Sequence, residues 1–120
     1  MITFDVRFDL DGLTENVAEF ADTMQRRAAM ELQSELIETT PRDTSRARSG
    51  WHLDTNHGTF VPPKGQASYA PQKQIAPKGA SFLILYNNVE YIVRLNEGHS
   101  TQAPKRFVQL AMDKVQRGFK

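Results

Sequence analysis

The chain has 120 residues, a formal net charge of +1 at pH 7 and no cysteine. With 39% hydrophobic and 24% charged residues it has the composition of a globular fold, which argues against a disordered chain. The lack of cysteine excludes a disulfide framework and a thiolate metal site, and no apolar run approaches the roughly 20 residues of a membrane-spanning helix. We therefore expect one domain over residues 1–120, from a reducing cytoplasm or a particle assembled there, with no membrane partner.

The charges are unevenly divided along the chain. Residues 1–40 contain nine acids and three bases, a net charge of −6, whereas residues 41–120 contain five acids and twelve bases, a net charge of +7. Such a division can bring unlike faces of neighbouring subunits together, because opposite potentials steer association. The alternative is that these are ordinary solvated charges that happen to segregate in the sequence.

The first forty residues predict a strand followed by a long helix. Residues 2–10 alternate apolar and polar side chains, which is typical of a half-buried strand. Apolar residues then recur at steps of three and four between positions 13 and 36, which predicts a helix of about seven turns that starts after Thr14 and reaches about Thr39. Pro41 should end this helix, because the residue before a proline is pushed out of the helical region.

The middle of the chain predicts a second strand and a long loop. Residues 51–55 alternate again, beginning at Trp51. Residues 57–79 contain four of the six prolines, three lysines and no acid. A structureless loop of this length is uncommon in a compact domain and is usually functional or disordered.

The last third predicts another strand and a closing helix. Residues 81–86 are rich in strand-forming side chains, and Asn87-Asn88 is a turn signal. Residues 91–95 fit either a strand or a short helix. An amphipathic helix should begin near Pro104 and end at Gly118. The order predicts an α+β fold: an antiparallel sheet packed by one long N-terminal helix and one shorter C-terminal helix, with a long loop rich in proline and lysine.

Catalytic chemistry is not indicated. His52, His57 and His99 lack the spacing of a metal site, and no nucleophile elbow or glycine-rich phosphate loop is present. We therefore expect no enzyme activity, no cofactor and no metal. Basic residues gather after the first helix and near the C-terminus, but Trp51 and Phe107 sit in apolar patterns typical of a core. This leaves a small nucleic-acid-binding module, or non-specific contact with DNA, as an alternative.

Two short stretches resemble a known family. Pro41-Arg42-Asp43-Thr44, followed by arginines and Ser49-Gly50-Trp51, is similar to the "P-x-D-T-G-x-L-x-x-S" segment of the tailed-phage tail-component family. Residues 87–91, then 96–98, then 102–104, resemble its "N-x-x-x-Y … E-x-G … Q-x-P" continuation. The chain departs from the pattern at Ser45, where the family has glycine, and serine is disfavoured at positive φ. Its 57–79 loop is also longer than in many relatives.

The resemblance implies a structural role in the virion. The family contains tail-completion proteins that join head to tail in the neck of long-tailed phages. It implies a homo-oligomeric ring, of six or alternatively twelve subunits, between the head connector or adaptor and the tail terminator. In such a ring we expect the 57–79 loop to reach a neighbouring subunit or ring and to become ordered on assembly. A tail terminator that caps the tail tube is the alternative within the same particle.

Two groups of residues follow from the resemblance and from turn chemistry. The expected structural motif comprises Pro41, Asp43, Thr44, Trp51, Asn87, Tyr91, Glu97 and Gly98. The expected contacts with a neighbouring subunit or partner are Arg42, Arg46, Arg48, Lys64, Lys73 and Lys78.

Overall fold

A computed structural model of the chain describes residues 2–6, 15–40, 45–79, 83–98 and 106–118. In chain order the elements are β1 (Ile2–Val6), α1 (Glu15–Thr39), α2 (Arg46–Ser49), β2 (Trp51–Asp54), β3 (Leu83–Asn87), α3 (Ile92–Asn96) and α4 (Phe107–Arg117). None of the described helices is long and apolar enough to cross a membrane.

The strands form one antiparallel sheet in the order β1-β3-β2. Leu85 at the centre of β3 lies opposite Phe4 of β1 and Leu53 of β2. Side chains on a strand point alternately to the two faces, so Trp51, Leu53 and Leu85 share the face that is buried.

The core lies between this face of the sheet and the helices. α1 contributes Ala29, Leu32 and Leu36, which follow one another at steps of three and four residues, and Ile37 beside them; each is at most 6% exposed. α4 packs against α1 and buries Phe107, Val108 and Ala111. This arrangement confirms the predicted α+β fold with one long and one shorter packing helix.

Several predicted boundaries change in the structure. The ambiguous segment 91–95 leads into and forms most of helix α3. The Ile92 amide donates a hydrogen bond to the Val89 carbonyl, and the Leu95 amide donates one to the Tyr91 carbonyl. Asn87 was predicted to lie in a turn, but it is the last residue of β3 and is fully buried. The closing helix begins at Phe107. Four predicted features lie outside the described residues: the continuation of β1 over residues 7–10, the helix start at Thr14, the helix stop at Pro41 and the helix start near Pro104.

Candidate assembly surfaces

Asn87 connects the two sequence stretches that carry the family resemblance. Its Nδ2 donates a hydrogen bond to the Ala47 carbonyl (2.8 Å), and its Oδ1 accepts one from the Val89 amide (3.0 Å). Gly50 lies beside this pair, and a Cβ atom there would be 2.6 Å from both Asn87 Oδ1 and Val89 Cγ2. The two stretches therefore form a single joint, in which glycine is required because the backbone passes so close to a buried amide.

Arg46 ties the same joint to the long loop. Its guanidinium lies 2.9 Å from Glu90 Oε1 and 5.8 Å from the centroid of the Tyr91 ring, and its Nε donates to the Pro62 carbonyl (3.1 Å). The hydrogen bond from Arg46 lowers the pKa of Glu90 to about 2. The Arg46 side chain is only 8% exposed. We therefore revise its predicted role: it points inward and holds the fold together, because the charge partner and carbonyl it needs lie within its own chain.

The end of α1 is also held by side chains. Trp51 is 1% exposed and begins β2, as predicted; its Nε1 donates to Thr40 Oγ1 (2.8 Å). Arg48 is half-buried, and its Nε donates to the Ile37 carbonyl (2.6 Å), which satisfies one of the carbonyls that a helix end leaves open. Arg48, like Arg46, was predicted as a partner contact; it bonds its own chain, and the partner contact stays a prediction. Thr40 was missed, although its position before Pro41 at the helix end was a usable signal.

The turn into α2 contains the residue that departs from the family pattern. Ser45 has φ of 67°, in the left-handed region where glycine is favoured. The departure noted in the sequence therefore falls on a position that has positive φ in the structure. Pro41, Arg42, Asp43 and Thr44 lie outside the described residues, so their predicted roles stay predictions.

The second stretch leads from the sheet to α4. Glu97 is exposed, and Gly98 follows α3 with φ of 100°, a conformation that suits glycine. Asn96 joins the two helices, because its Oδ1 accepts from the Val108 amide (2.9 Å) and its carbonyl from the Arg106 amide (2.6 Å). Asn96 was not among the predicted motif residues.

Segment 57–79 is anchored to its own chain. Buried Gln33 on α1 exchanges hydrogen bonds with Gln74: its Nε2 donates to Gln74 Oε1 (2.5 Å) and its Oε1 accepts from the Gln74 amide (3.1 Å). The same two side chains cover the free edge of β2, bonding the Trp51 carbonyl (3.1 Å) and the Leu53 amide (3.0 Å). Covering an edge with side-chain amides prevents it from pairing with another strand.

Further bonds hold both ends of this segment. Arg26 Nε donates to the Ala76 carbonyl (2.9 Å), and Asp22 Oδ1 accepts from the Gly79 amide (3.1 Å). At the other end, Asn88 Nδ2 donates to the carbonyls of Gly58 (3.0 Å) and Phe60. These anchors correct the expectation that the loop gains its order only on assembly, because its backbone is already bonded to α1 and to the end of β3.

The histidines pack against aromatic rings. The His52 ring centroid lies 4.9 Å from that of Phe60 and 5.4 Å from that of Tyr86, and His57 lies 4.9 Å from Tyr86. This cluster covers the outer face of the sheet with the start of the loop. Among the described residues no group of His, Asp and Glu is placed to hold a metal ion; His99 lies outside them.

A family model described as "Bacteriophage HK97-gp10, putative tail-component" matches residues 4–98, which include nearly all of the joint and the whole loop. The chain belongs to this family. The family resemblance read from the two stretches is thereby confirmed, and the protein is a structural tail component of a phage particle. Neither the curated proteins nor the solved structures contain a significant match.

The tail component presents a basic and partly apolar surface on residues 73–78 of its loop. Gln74 and Ala76 are bonded to α1, whereas Lys73, Ile75 and Pro77 are exposed. Ile75 is 83% exposed and lies between two residues, Gln74 and Ala76, that are bonded to α1. Lys73 and Lys78 flank it and are exposed; Lys64 is exposed as well and lies 3.5 Å from Glu90. Of the predicted contact residues that are described, these three lysines are the exposed ones.

A groove between α1 and α4 forms a second surface of the tail component. It has a volume of about 520 Å³, with Met30 and Val115 among its lining residues. Five charged residues form the rest of its lining together with Ser34; they are three carboxylates and two bases: Glu31, Glu35, Glu38, Arg27 and Lys114. We call these five residues the rim. Arg27 pairs with Glu31 (3.0 Å) and Lys114 with Glu35 (3.2 Å), so the rim has a net charge of −1.

Proposed function

We propose that this tail component forms a closed ring in the phage neck, where it joins the head connector to the tail and leaves a channel for DNA. Family membership supports a structural tail role, and the neck position extends that role. The ring contains six subunits, with twelve as the alternative. Its two faces contact the head connector or adaptor and the tail terminator.

The observation that carries this proposal is the placement of two unlike surfaces on different sides of α1. The loop is anchored to Asp22, Arg26 and Gln33, whereas the groove is lined by Arg27, Glu31 and Glu38. At about 100° per residue, these two sets lie roughly 120–150° apart around the helix axis. Unlike surfaces on different sides of a subunit suit a head-to-tail contact, and head-to-tail contacts generate rings when the rotation closes.

The position in the particle is tested by imaging. The assembled phage particle, reconstructed to a resolution that traces helices, should show a ring of this chain between the connector and the tail terminator. A ring of this chain on top of the tail tube, with no other protein capping the tube, would instead assign it as the terminator. Absence of the chain from the neck and the tail tube end would contradict both assignments.

The oligomer is tested on the purified full-length chain. Native mass spectrometry over a concentration series should show a closed species of one defined subunit number, and negative-stain images should show a central opening. A chain that stays monomeric at every concentration, and binds duplex DNA in a salt-dependent way, would favour the nucleic-acid-binding module.

A further inference from the structure

Segment 73–78 presents its exposed side chains from a backbone that is hydrogen-bonded to α1. Its inward residues Gln74 and Ala76 are held by Gln33 and Arg26, so the outward residues are presented from a fixed backbone. Ile75 alone among these outward side chains is large and apolar, with 83% of its surface exposed. A preorganised apolar side chain binds a partner without the entropic cost of ordering a flexible loop.

The α1–α4 groove has the properties that such an element needs. Met30 and Val115 lie partly buried against the core and offer an apolar surface within it. An isoleucine side chain entering this groove would remove apolar surface of both partners from water, which is the main favourable contribution to association. The groove is open to solvent along the same helix that anchors the loop.

The charges around the two surfaces have opposite signs. Residues 57–79 carry three lysines and no acid, a net charge of +3, and the groove rim has a net charge of −1. Two like-charged loops would repel each other, so a symmetric contact of loop with loop is disfavoured. The charge distribution therefore favours a contact of loop with groove.

The dimensions of the two surfaces also agree. Lys73 and Lys78 are at most about 18 Å apart along an extended backbone, and Arg27 and Glu38 lie about 16 Å apart along α1. Ile75 lies between the two lysines, as the apolar surface of Met30 lies between charged residues of the groove. One segment can therefore place its apolar residue and both ammonium groups over a single groove.

We propose that Ile75, flanked by Lys73 and Lys78, docks into the α1–α4 groove of a second copy of this chain. This assignment rests on the proposed ring, for which it names the contact between subunits. The groove and the segment lie on different sides of each subunit, so each copy engages one neighbour through its loop and the other through its groove.

The absence of cysteine allows a direct test. The double variant Ile75→Cys/Ser34→Cys places one thiol on the docking segment and one in the groove. Under mild oxidation of the assembled protein it should form a ladder of covalent species up to the full subunit number. Each single variant has one thiol per chain and can form only dimers, so Ile75→Cys and Ser34→Cys alone are the matched controls.

A second measurement does not depend on disulfide geometry. Ile75→Asp should weaken self-association by at least about tenfold, because it places a carboxylate in an apolar, acidic groove. Lys73→Glu/Lys78→Glu should weaken it similarly, and adding Glu31→Lys/Glu38→Lys should restore part of the loss. Arg94→Glu/Arg106→Glu makes the same change of charge at exposed positions outside the groove lining and should leave association within about twofold of the wild type.

The outcomes separate this inference from the proposed ring. If the double-cysteine variant assembles but yields no species beyond dimers, and Ile75→Asp assembles like the wild type, the docking assignment is wrong while the ring stands. If the wild-type chain never assembles, alone or in the particle, the ring and the docking contact both fail.

Discussion

Asn87 Nδ2 lies 2.8 Å from the Ala47 carbonyl oxygen, and this buried hydrogen bond joins the end of β3 to α2, forty residues earlier. Asn87 Oδ1 also accepts a hydrogen bond from the Val89 amide. One side-chain amide therefore bonds a backbone carbonyl in α2 and a backbone N–H just after β3. The two motif stretches thus meet at a joint between α2 and the end of β3.

Replacing Asn87 tests the joint. Asn87→Ala should lower the free energy of unfolding by about 1–3 kcal/mol, because it leaves the buried Val89 amide without its hydrogen bond and the Ala47 carbonyl with only the Gly50 amide. Urea denaturation followed by circular dichroism measures the loss. Asn56→Ala, at an exposed position, is the control and should change stability by less than about 0.5 kcal/mol.

Gly50→Ala tests the close approach beside Asn87. The added methyl group would lie 2.6 Å from Asn87 Oδ1 and Val89 Cγ2, so we expect a destabilisation of about 1–3 kcal/mol. Gly118→Ala, whose Cβ would be 3.4 Å from the Val115 carbonyl, should be nearly neutral. The melting temperatures of both variants, measured by thermal denaturation, test this difference. Equal melting temperatures would show that the structure around Asn87 accommodates the added methyl group without losing stability.

Acid should weaken the Arg46–Glu90 pair. The folded-state pKa of Glu90 is about 2, below its ordinary value of 4.5, so its contribution to stability is complete above about pH 4.5 and is lost as the pH falls towards 2. The effect should be about 1 kcal/mol, because half of the Glu90 side chain is exposed and solvent screens the pair.

Unfolding free energies at pH 5 and pH 2.5 measure this contribution. Glu90→Gln should be less stable than the wild type at pH 5 and should lose less stability on acidification. Glu97→Gln removes an exposed carboxylate and should retain the wild-type pH dependence. A Glu90→Gln variant with an unchanged pH profile would show that the pair does not stabilise the fold.

Gln33 should control the docking of the loop. Gln33→Ala removes the amide that bonds Gln74 and covers β2, so the loop should open locally more often. Trypsin, which cuts after lysine, should then cleave at Lys64, Lys73 and Lys78 at least about fivefold faster. Exposed Gln66→Ala is the control. Equal cleavage rates in the two variants would mean that the hydrogen bonds from Arg26, Asp22 and Asn88 hold the loop in place without Gln33.

The sequence by itself determined the elements whose patterns are local. Alternation of apolar residues predicted β2 from Trp51, and three- and four-residue steps predicted α1 and its end near Thr39, because side-chain direction repeats every two residues in a strand and every 3.6 in a helix. The order of these elements predicted the α+β fold. The turn motifs, in turn, indicated the family.

The tertiary structure alone decided where charged and amide side chains point. Arg46 looked like a surface base, but its partner Glu90 is 44 positions away, and no local period encodes that pairing. The 57–79 loop was predicted to become ordered on assembly, yet Gln33 and Arg26 on α1 already bond its backbone. Such contacts depend on which distant groups the packed elements bring together, since a buried polar group is stable only where its hydrogen-bond partner is within reach.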